Sequence, residues 1–359
     1  MPAKQSLPAE WTRQAGIILV WPHERTDWTE TLDSVERTYV QIAREITSRE
    51  RLLIVCYDEC HRARIHSWLY REDVNLAAVR FATAPFNDTW IRDYGPLTVL
   101  REDTPKLLDF CFNAWGERYS AGLDDTVTRA LHNQGVFGEI ALERLPLVLE
   151  GGSIDVDGAG SMLTTRGCLL APTRNPHLNQ SAMESRLMTY FGLERVLWLQ
   201  HACLAGDDTD GHIDMLARFC DQRTIAYTAC DNPADEHYTP LKAMEAELQS
   251  FHTLEGKPYR LISLPLPAPL YNAEGQRLPA SYSNFLIINQ AVLLPAYDDP
   301  ADAVANQRLQ QAFPAREIVG IDCTALIHQY GSLHCMTLHL PYGVAINDAS
   351  GISTTRQQR

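Results

Sequence analysis

The sequence is short of several things, and each shortage closes off a class of protein. Its nine cysteines, at 56, 60, 111, 168, 203, 220, 230, 323 and 335, are odd in number and contain no CxxC pair. A disulfide framework and a structural zinc site are therefore not expected, and reduced thiols in a cytoplasm are. No stretch approaches the ~20 apolar residues of a membrane span. The first eight residues, Met1 to Pro8, hold no apolar segment of the export type, so a cytoplasmic location is expected. No Ser/Gly-rich or charged low-complexity tract divides the chain, which predicts one domain over residues 1–359. Basic residues are scarce: 31 Lys and Arg against 45 Asp and Glu give a net charge of −14. That balance repels nucleic acid phosphates and anionic lipid, so neither is expected as a partner; a small cation would be drawn in.

With 359 residues and 45% hydrophobic content, the chain is long enough for a large core. Apolar runs that read as buried strands lie at Gly16 to Trp21, Leu52 to Tyr57, Val79 to Ala84, Leu107 to Phe112, Val196 to Leu199, Thr224 to Thr228, Phe285 to Ile288 and Ile318 to Ile321. Helical periodicity marks Leu32 to Ser48, Asp124 to Gln134, Gln180 to Phe191, Asp235 to His252 and Ala301 to Ala312. The pattern is α/β. Its strand-helix-strand rhythm suggests a unit of roughly seventy residues, although residue identities do not repeat.

Four clusters carry chemistry. In Asn87-Asp88-Thr89-Trp90-Ile91-Arg92-Asp93-Tyr94-Gly95-Pro96, Asp93 is a carboxylate able to accept a bidentate pair of N–H donors and Trp90 a flat face for a cation. Taken alone, the pair reads equally as a turn carboxylate and a core aromatic. In Asp207-Asp208-Thr209-Asp210-Gly211-His212-Ile213-Asp214, His212 and Asp214 stand two apart, so an extended segment turns both toward one ligand. The same segment alone suits a pair of Mn²⁺ ions as well. Glu150 heads Glu-Gly-Gly-Ser after the apolar run Leu145 to Leu149, where the glycines let the chain turn and expose the carboxylate. Cys335 stands in Gly331-Ser332-Leu333-His334-Cys335-Met336-Thr337, and the other eight cysteines read as small buried hydrophobes.

Together the four clusters resemble the guanidino-modifying enzymes and, within them, the agmatine deiminases and bacterial-type peptidylarginine deiminases. The likeness extends from Pro8-Ala9-Glu10-Trp11 and Trp21-Pro22-His23, through Leu278-Pro279-Ala280-Ser281-Tyr282-Ser283-Asn284-Phe285, to Cys335. It implies a pentein fold, five ββαβ units arranged as propeller blades around a central site. It implies further that Cys335 is the nucleophile, that Asp93 and Asp214 hold the guanidinium, and that His212 moves protons with Glu150 beside it. Trp90 would cover the cation, Arg92 would be a structural ion-pair partner, and Asp208 is expected at the substrate's far ammonium.

The implied reaction is hydrolysis of agmatine to N-carbamoylputrescine and ammonia, a step of putrescine and polyamine biosynthesis, through a covalent thiouronium. No cofactor and no metal are implied, since Cys335 and Trp90 have no place in a two-metal hydrolase. A homo-oligomer is compatible with the sequence. The alternatives are a deiminase of free or peptidyl arginine, a metal-dependent ureohydrolase and a polyamine-binding protein without catalysis.

Overall fold

The computed structural model describes residues 5–349. The reading of Met1 to Pro8 as free of an export segment thus lies partly outside the described residues. Helix formation follows local signals. Gln180–Phe191 starts where the Asn179 side chain accepts the Ala182 N–H at 2.9 Å, and stops at Gly192, whose φ of 67° is left-handed. Leu32–Thr47 buries Val35, Tyr39, Ile42 and Ile46, one apolar stripe of an otherwise charged helix.

The strands form five small sheets. In the sheet of Leu286–Ile288, Ala291–Ala296 and Glu317–Asp322, the first two strands pair antiparallel, and the third returns parallel after the helix Ala301–Ala312. The same ββαβ order recurs three times. One unit comprises Ala217–Asp221, Thr224–Thr228 and Arg260–Leu264 with Tyr238–Ser250. Another has Ile154–Val156, Ser161–Thr165 and Arg195–Leu199 with Gln180–Phe191. A third has Leu97–Arg101, Thr104–Cys111 and Ala141–Val148 with Asp124–Asn133, its edge covered by Gln5–Ser6.

The fifth sheet closes the ring. Thr337–Pro341 pairs antiparallel with Gln14–Val20, so strands from opposite ends of the described chain share one blade, and Arg51–Cys56 and Val79–Thr83 extend it in parallel. This is the five-bladed α/β propeller of the pentein fold.

The expected strands and helices are all present, with ends moved by a few residues. The helix expected from Asp235 begins at Tyr238, because the Asp235 carboxylate accepts the His237 N–H at 2.9 Å and pairs with Arg277. The repeat was faint in sequence because its middle strands begin at unequal spacings, at residues 14, 104, 161, 224 and 291. All nine cysteines are free, but they are not eight buried hydrophobes and a nucleophile: Cys60 and Cys203 are exposed and Cys111 is half-buried. Among the described residues, no helix is long and apolar enough to cross a membrane.

Candidate active site

Each blade's first strand is preceded by a short segment, and these five segments meet at the centre. Asp93 lies in the turn Ile91–Tyr94 ahead of Leu97–Arg101, and Glu150 lies ahead of Ile154–Val156. His212 and Asp214 precede Ala217–Asp221, Asn284 precedes Leu286–Ile288, and His334 and Cys335 precede Thr337–Pro341. The pseudo-symmetry of the fold thus brings the motifs together although they stand far apart in sequence.

Cys335 is 8% exposed and lines a cavity of about 650 Å³ with Trp90, Asp93, Trp115, Asp208 and His212. Its Sγ is 3.6 Å from Asp214 Oδ2, and the Asn284 side-chain amide donates to it at 3.2 Å. Asn284 also accepts the His334 N–H at 2.8 Å, which fixes the turn that presents the thiol. Burial, with the carboxylates of Asp214 and Asp93 nearby, holds the Cys335 thiol well above its ordinary range.

Asp93 is anchored from both sides: Oδ1 accepts the Gly152 N–H at 2.8 Å and Oδ2 accepts the Trp115 indole N–H at 3.0 Å. Burial outweighs these donors and pushes its carboxyl up to about 6. His212 Nδ1 is 3.6 Å from Asp93 Oδ1, while His212 Nε2 and Asp214 Oδ1 are buried with no hydrogen-bond partner. Burial opposes a charge on His212, yet the Asp93 carboxylate and the Cys168 and Glu150 side chains outweigh it and hold the imidazole well above its usual range.

Two local expectations need correction. His212 and Asp214 do not share the face of an extended strand. His212 caps the single turn Ile213–Met215, and the turn brings both toward Asp93. Glu150 is not exposed by its glycines. It is fully buried, its Oε1 takes the Arg174 Nε–H at 3.0 Å, and the Cys168 thiol faces Oε2 at 3.9 Å. The glycines serve close approach instead: a Cβ on Gly152 would lie 2.7 Å from both Asp93 Oδ1 and His212 Nδ1.

The Asp207 to Asp214 segment, which taken alone suits a pair of Mn²⁺ ions, sends its carboxylates to separate partners. Asp207 accepts the N–H groups of Thr209 and Gly211, and Asp208 accepts the Tyr119 hydroxyl at 2.9 Å. Asp210 pairs with Arg118 and Arg174, and Asp214 with His334.

Asp208 stands on the cavity wall, and Asp27 and Arg25 line the same cavity; neither of these two has an ion-pair partner among the described residues. Asp88 and Asp124 belong to the lining but are occupied: Asp88 accepts from the indoles of Trp28 and Trp90, and Asp124 from the N–H groups of Asn87 and Asp88. Trp90 is wedged against Gly331, where a side chain would overlap its ring.

Beneath this floor lies a layer that sequence reading passed over. His334 Nδ1 is 2.8 Å from Asp214 Oδ2, and its Nε2 is 2.8 Å from Glu10 Oε2. Glu10 in turn faces Arg218 at 3.2 Å and Arg92 at 3.4 Å, which gives Arg92 the structural pairing expected of it. Asn284 and Glu10 each stood inside a stretch quoted for the family resemblance, and that was the one signal available for them.

A profile of the Porphyromonas-type peptidyl-arginine deiminase family matches residues 6–341. The chain belongs to that family. A structure from Porphyromonas gingivalis, provisionally named an arginine deiminase, is 46% identical with a TM-score of 0.90, covering 95% of this chain and 100% of its own. A substrate-bound Cys-to-Ser form of the C. jejuni agmatine deiminase is 36% identical, with a TM-score of 0.88 and coverage of 95% and 97%. An agmatine deiminase of Pseudomonas fluorescens is 31% identical over 360 residues, covering 93% of this chain and 95% of its own. The class is that of hydrolases acting on C–N bonds of linear amidines.

Proposed function

We propose that the protein hydrolyses agmatine to N-carbamoylputrescine and ammonia, with Cys335 as nucleophile. The observation that carries this reading is a buried thiol set between two carboxylates and a histidine, at the floor of a cavity whose free charges are acidic apart from Arg25. A guanidinium is a planar cation with N–H donors on its rim, and Asp93 and the unpartnered Asp214 Oδ1 supply acceptors for it. Trp90, on the cavity wall, covers the cation face, and Asp208 receives the far ammonium.

Binding then switches the site on. In the empty cavity the Cys335 proton is held by burial and by two adjacent carboxylates. A bound cation neutralises those carboxylates and lowers the thiol, whose proton passes to solvent, so the nucleophile is generated only against substrate. The thiolate adds to the guanidinium carbon, and the C–N bond breaks as ammonia takes a proton from His212, leaving an S-alkylthiouronium. His212 next takes a proton from water as its oxygen bonds to the same carbon. The C–S bond breaks, the ureido product leaves and Cys335 is regenerated. Asn284 donates to the sulfur throughout.

Arg25 supports one competing substrate, because a guanidinium fork at the cavity wall suits the carboxylate of arginine. Ammonia release from agmatine, free arginine and a peptidyl-arginine, measured side by side, separates the readings. Agmatine is expected to give the highest kcat/KM. A higher value for either arginine substrate overturns the choice. The same enzyme should keep its activity after exhaustive chelation and lose it to a thiol alkylator, with substrate protecting. Free cysteines throughout suit a reducing cytoplasm, which we propose as its location.

A further inference from the structure

Behind His212, on the side away from Asp93, three buried side chains of different donor type converge. Glu150, Cys168 and His212 each place one ligand atom within 4.8 Å of the other two. Cys168 Sγ and Glu150 Oε2 are 3.9 Å apart, and Arg174 occupies only the other carboxylate oxygen. His212 is 1% exposed, its Nδ1 is turned to Asp93, and among the described residues its Nε2 has no hydrogen-bond partner. A buried imidazole nitrogen without a partner is expensive to leave so.

We propose that this cluster is an inhibitory site for a thiophilic divalent cation of the Zn²⁺ type, bound by Cys168 Sγ, Glu150 Oε2 and His212 Nε2. Zinc bonds of about 2.3 Å to sulfur and about 2.0–2.1 Å to nitrogen and oxygen set ligand atoms on the order of 3.6 Å apart in a tetrahedron, so side-chain shifts of at most about 1 Å close the site. One sulfur, one nitrogen and one oxygen donor favour Zn²⁺ over Mg²⁺ or Ca²⁺. Thiolate and carboxylate together neutralise the ion, which matters where burial excludes water. The fourth position falls to water from the cavity that His212 lines.

The consequence is loss of the proton carrier. A metal on His212 Nε2 removes the imidazole from acid–base work while leaving Cys335 and the cation-holding carboxylates in place. The site therefore reads metal availability through one residue it shares with the reaction, His212, while Cys168 and Glu150 serve the metal alone. Binding itself does not depend on the proposed reaction, so the two ideas fail separately.

Cobalt is the probe, because a cysteine thiolate bound to tetrahedral Co²⁺ gives a sulfur-to-metal charge-transfer band and intense visible bands. The full chain, stripped with chelator, is titrated with Co²⁺ as wild type, Cys335→Ser, Cys168→Ala and Cys168→Ser. The charge-transfer band is expected at one equivalent in wild type and Cys335→Ser, displaced by Zn²⁺ but not by Mg²⁺. It should be absent from whichever Cys168 variant keeps the wild-type thermal unfolding midpoint. In wild type, Zn²⁺ should inhibit ammonia release reversibly, and Cys168→Ser should weaken that inhibition roughly tenfold or more. A band that survives loss of Cys168, one that disappears with Cys335, or no band at all would overturn the proposal.

Discussion

His334 grips Asp214 through Nδ1 and Oδ2 at 2.8 Å, directly beneath the sulfur of Cys335. The other nitrogen of the ring meets Glu10 Oε2 at 2.8 Å, so one imidazole bridges two buried carboxyl groups. The clamp leaves Asp214 Oδ1 as the oxygen free for a ligand and keeps the carboxyl ionised: burial would raise it, but His334 and the charges of His212 and Arg218 hold it below its ordinary value. On the proposed reading, recognition of the cation thus rests in part on a residue that never touches it.

Removing the nucleophile is the first test. Cys335→Ser should lose turnover almost entirely, because a serine hydroxyl is far less acidic than a thiol and the neighbouring Asp214 carboxylate is too weak a base to ionise it. Acid quench of the wild type during turnover should trap a covalent adduct at Cys335, seen as a mass increase on that peptide. Activity of more than a few per cent in the serine variant would refute the assignment.

Gly152 offers a steric test. A Cβ there would meet Asp93 Oδ1 and His212 Nδ1 at 2.7 Å and Asp214 Oδ2 at 3.1 Å, all three polar groups of the floor. Gly152→Ala should cost about 1–3 kcal/mol of stability by overpacking and reduce kcat/KM by far more than the loss of folded protein explains. Urea unfolding and kinetics on the same preparation give both numbers, and near-normal kinetics would show that the floor is not held rigidly.

The lower layer predicts an acid limb of stability. Burial would raise the Glu10 carboxyl, but Arg218, His334 and Arg92 overcome it and hold it well below the usual range. A depressed carboxylate contributes stability that is complete above its unfolded value of about 4 and is lost as pH falls through the folded one. Glu10→Gln, which takes the carboxylate from buried Arg92 while Arg218 keeps Asp155, should cost about 3–5 kcal/mol at neutral pH and flatten that acid limb. Urea midpoints across pH 3 to 7, on the order of the carboxylate range, measure both effects.

The sequence disclosed the parts of this site more readily than their joinery. Thr224–Thr228, Gln180–Phe191 and Ala301–Ala312 were legible to the residue because apolar spacing and caps are local. The helix Glu59–Arg71 was missed, since it buries only His61, Ile65 and Leu69 and has little apolar stripe to show. Ser161–Thr165 hides in a polar string because a strand buried on both faces can satisfy threonine hydroxyls with backbone oxygens, as Thr164 does with Ser153. Glu10 and His334 stand 324 residues apart, and no spacing rule links them. Gly151 and Gly152 were recognised as special for the wrong reason, because the tight packing of Gly151 on the Arg92 carbonyl and of Gly152 on Asp93 and His212 is a property of the closed ring and not of the tetrapeptide.

Asp93 gives a pH prediction for activity. Its carboxyl, raised by burial to about 6 in the empty site, must be ionised to hold a guanidinium. Below that value protons compete with substrate, so kcat/KM for agmatine should fall about tenfold per pH unit as pH drops beneath 6, since kcat/KM reports the free enzyme. The fall should be borne mainly by KM. A kcat/KM that stays level to pH 5 would mean that Asp93 is ionised already and that the cation is held elsewhere.

On the proposed reading, substrate choice should turn on Asp208. Its carboxylate sits on the cavity wall, takes the Tyr119 hydroxyl at 2.9 Å and is raised by burial, so an ammonium placed there relieves a carboxylate short of partners. A contact to the far amine is made alike in ground and transition states, so Asp208→Asn should raise KM for agmatine roughly tenfold, about 1.4 kcal/mol, and spare kcat. A simple alkylguanidine, which has no amine, should be indifferent to the change. Free arginine supplies the control in the other direction: its carboxylate is repelled by Asp208, so the asparagine variant should bind it better while agmatine binds worse. Equal losses on agmatine and the alkylguanidine would assign Asp208 to the guanidinium end or to the fold, and preference for agmatine would then need another basis than this carboxylate.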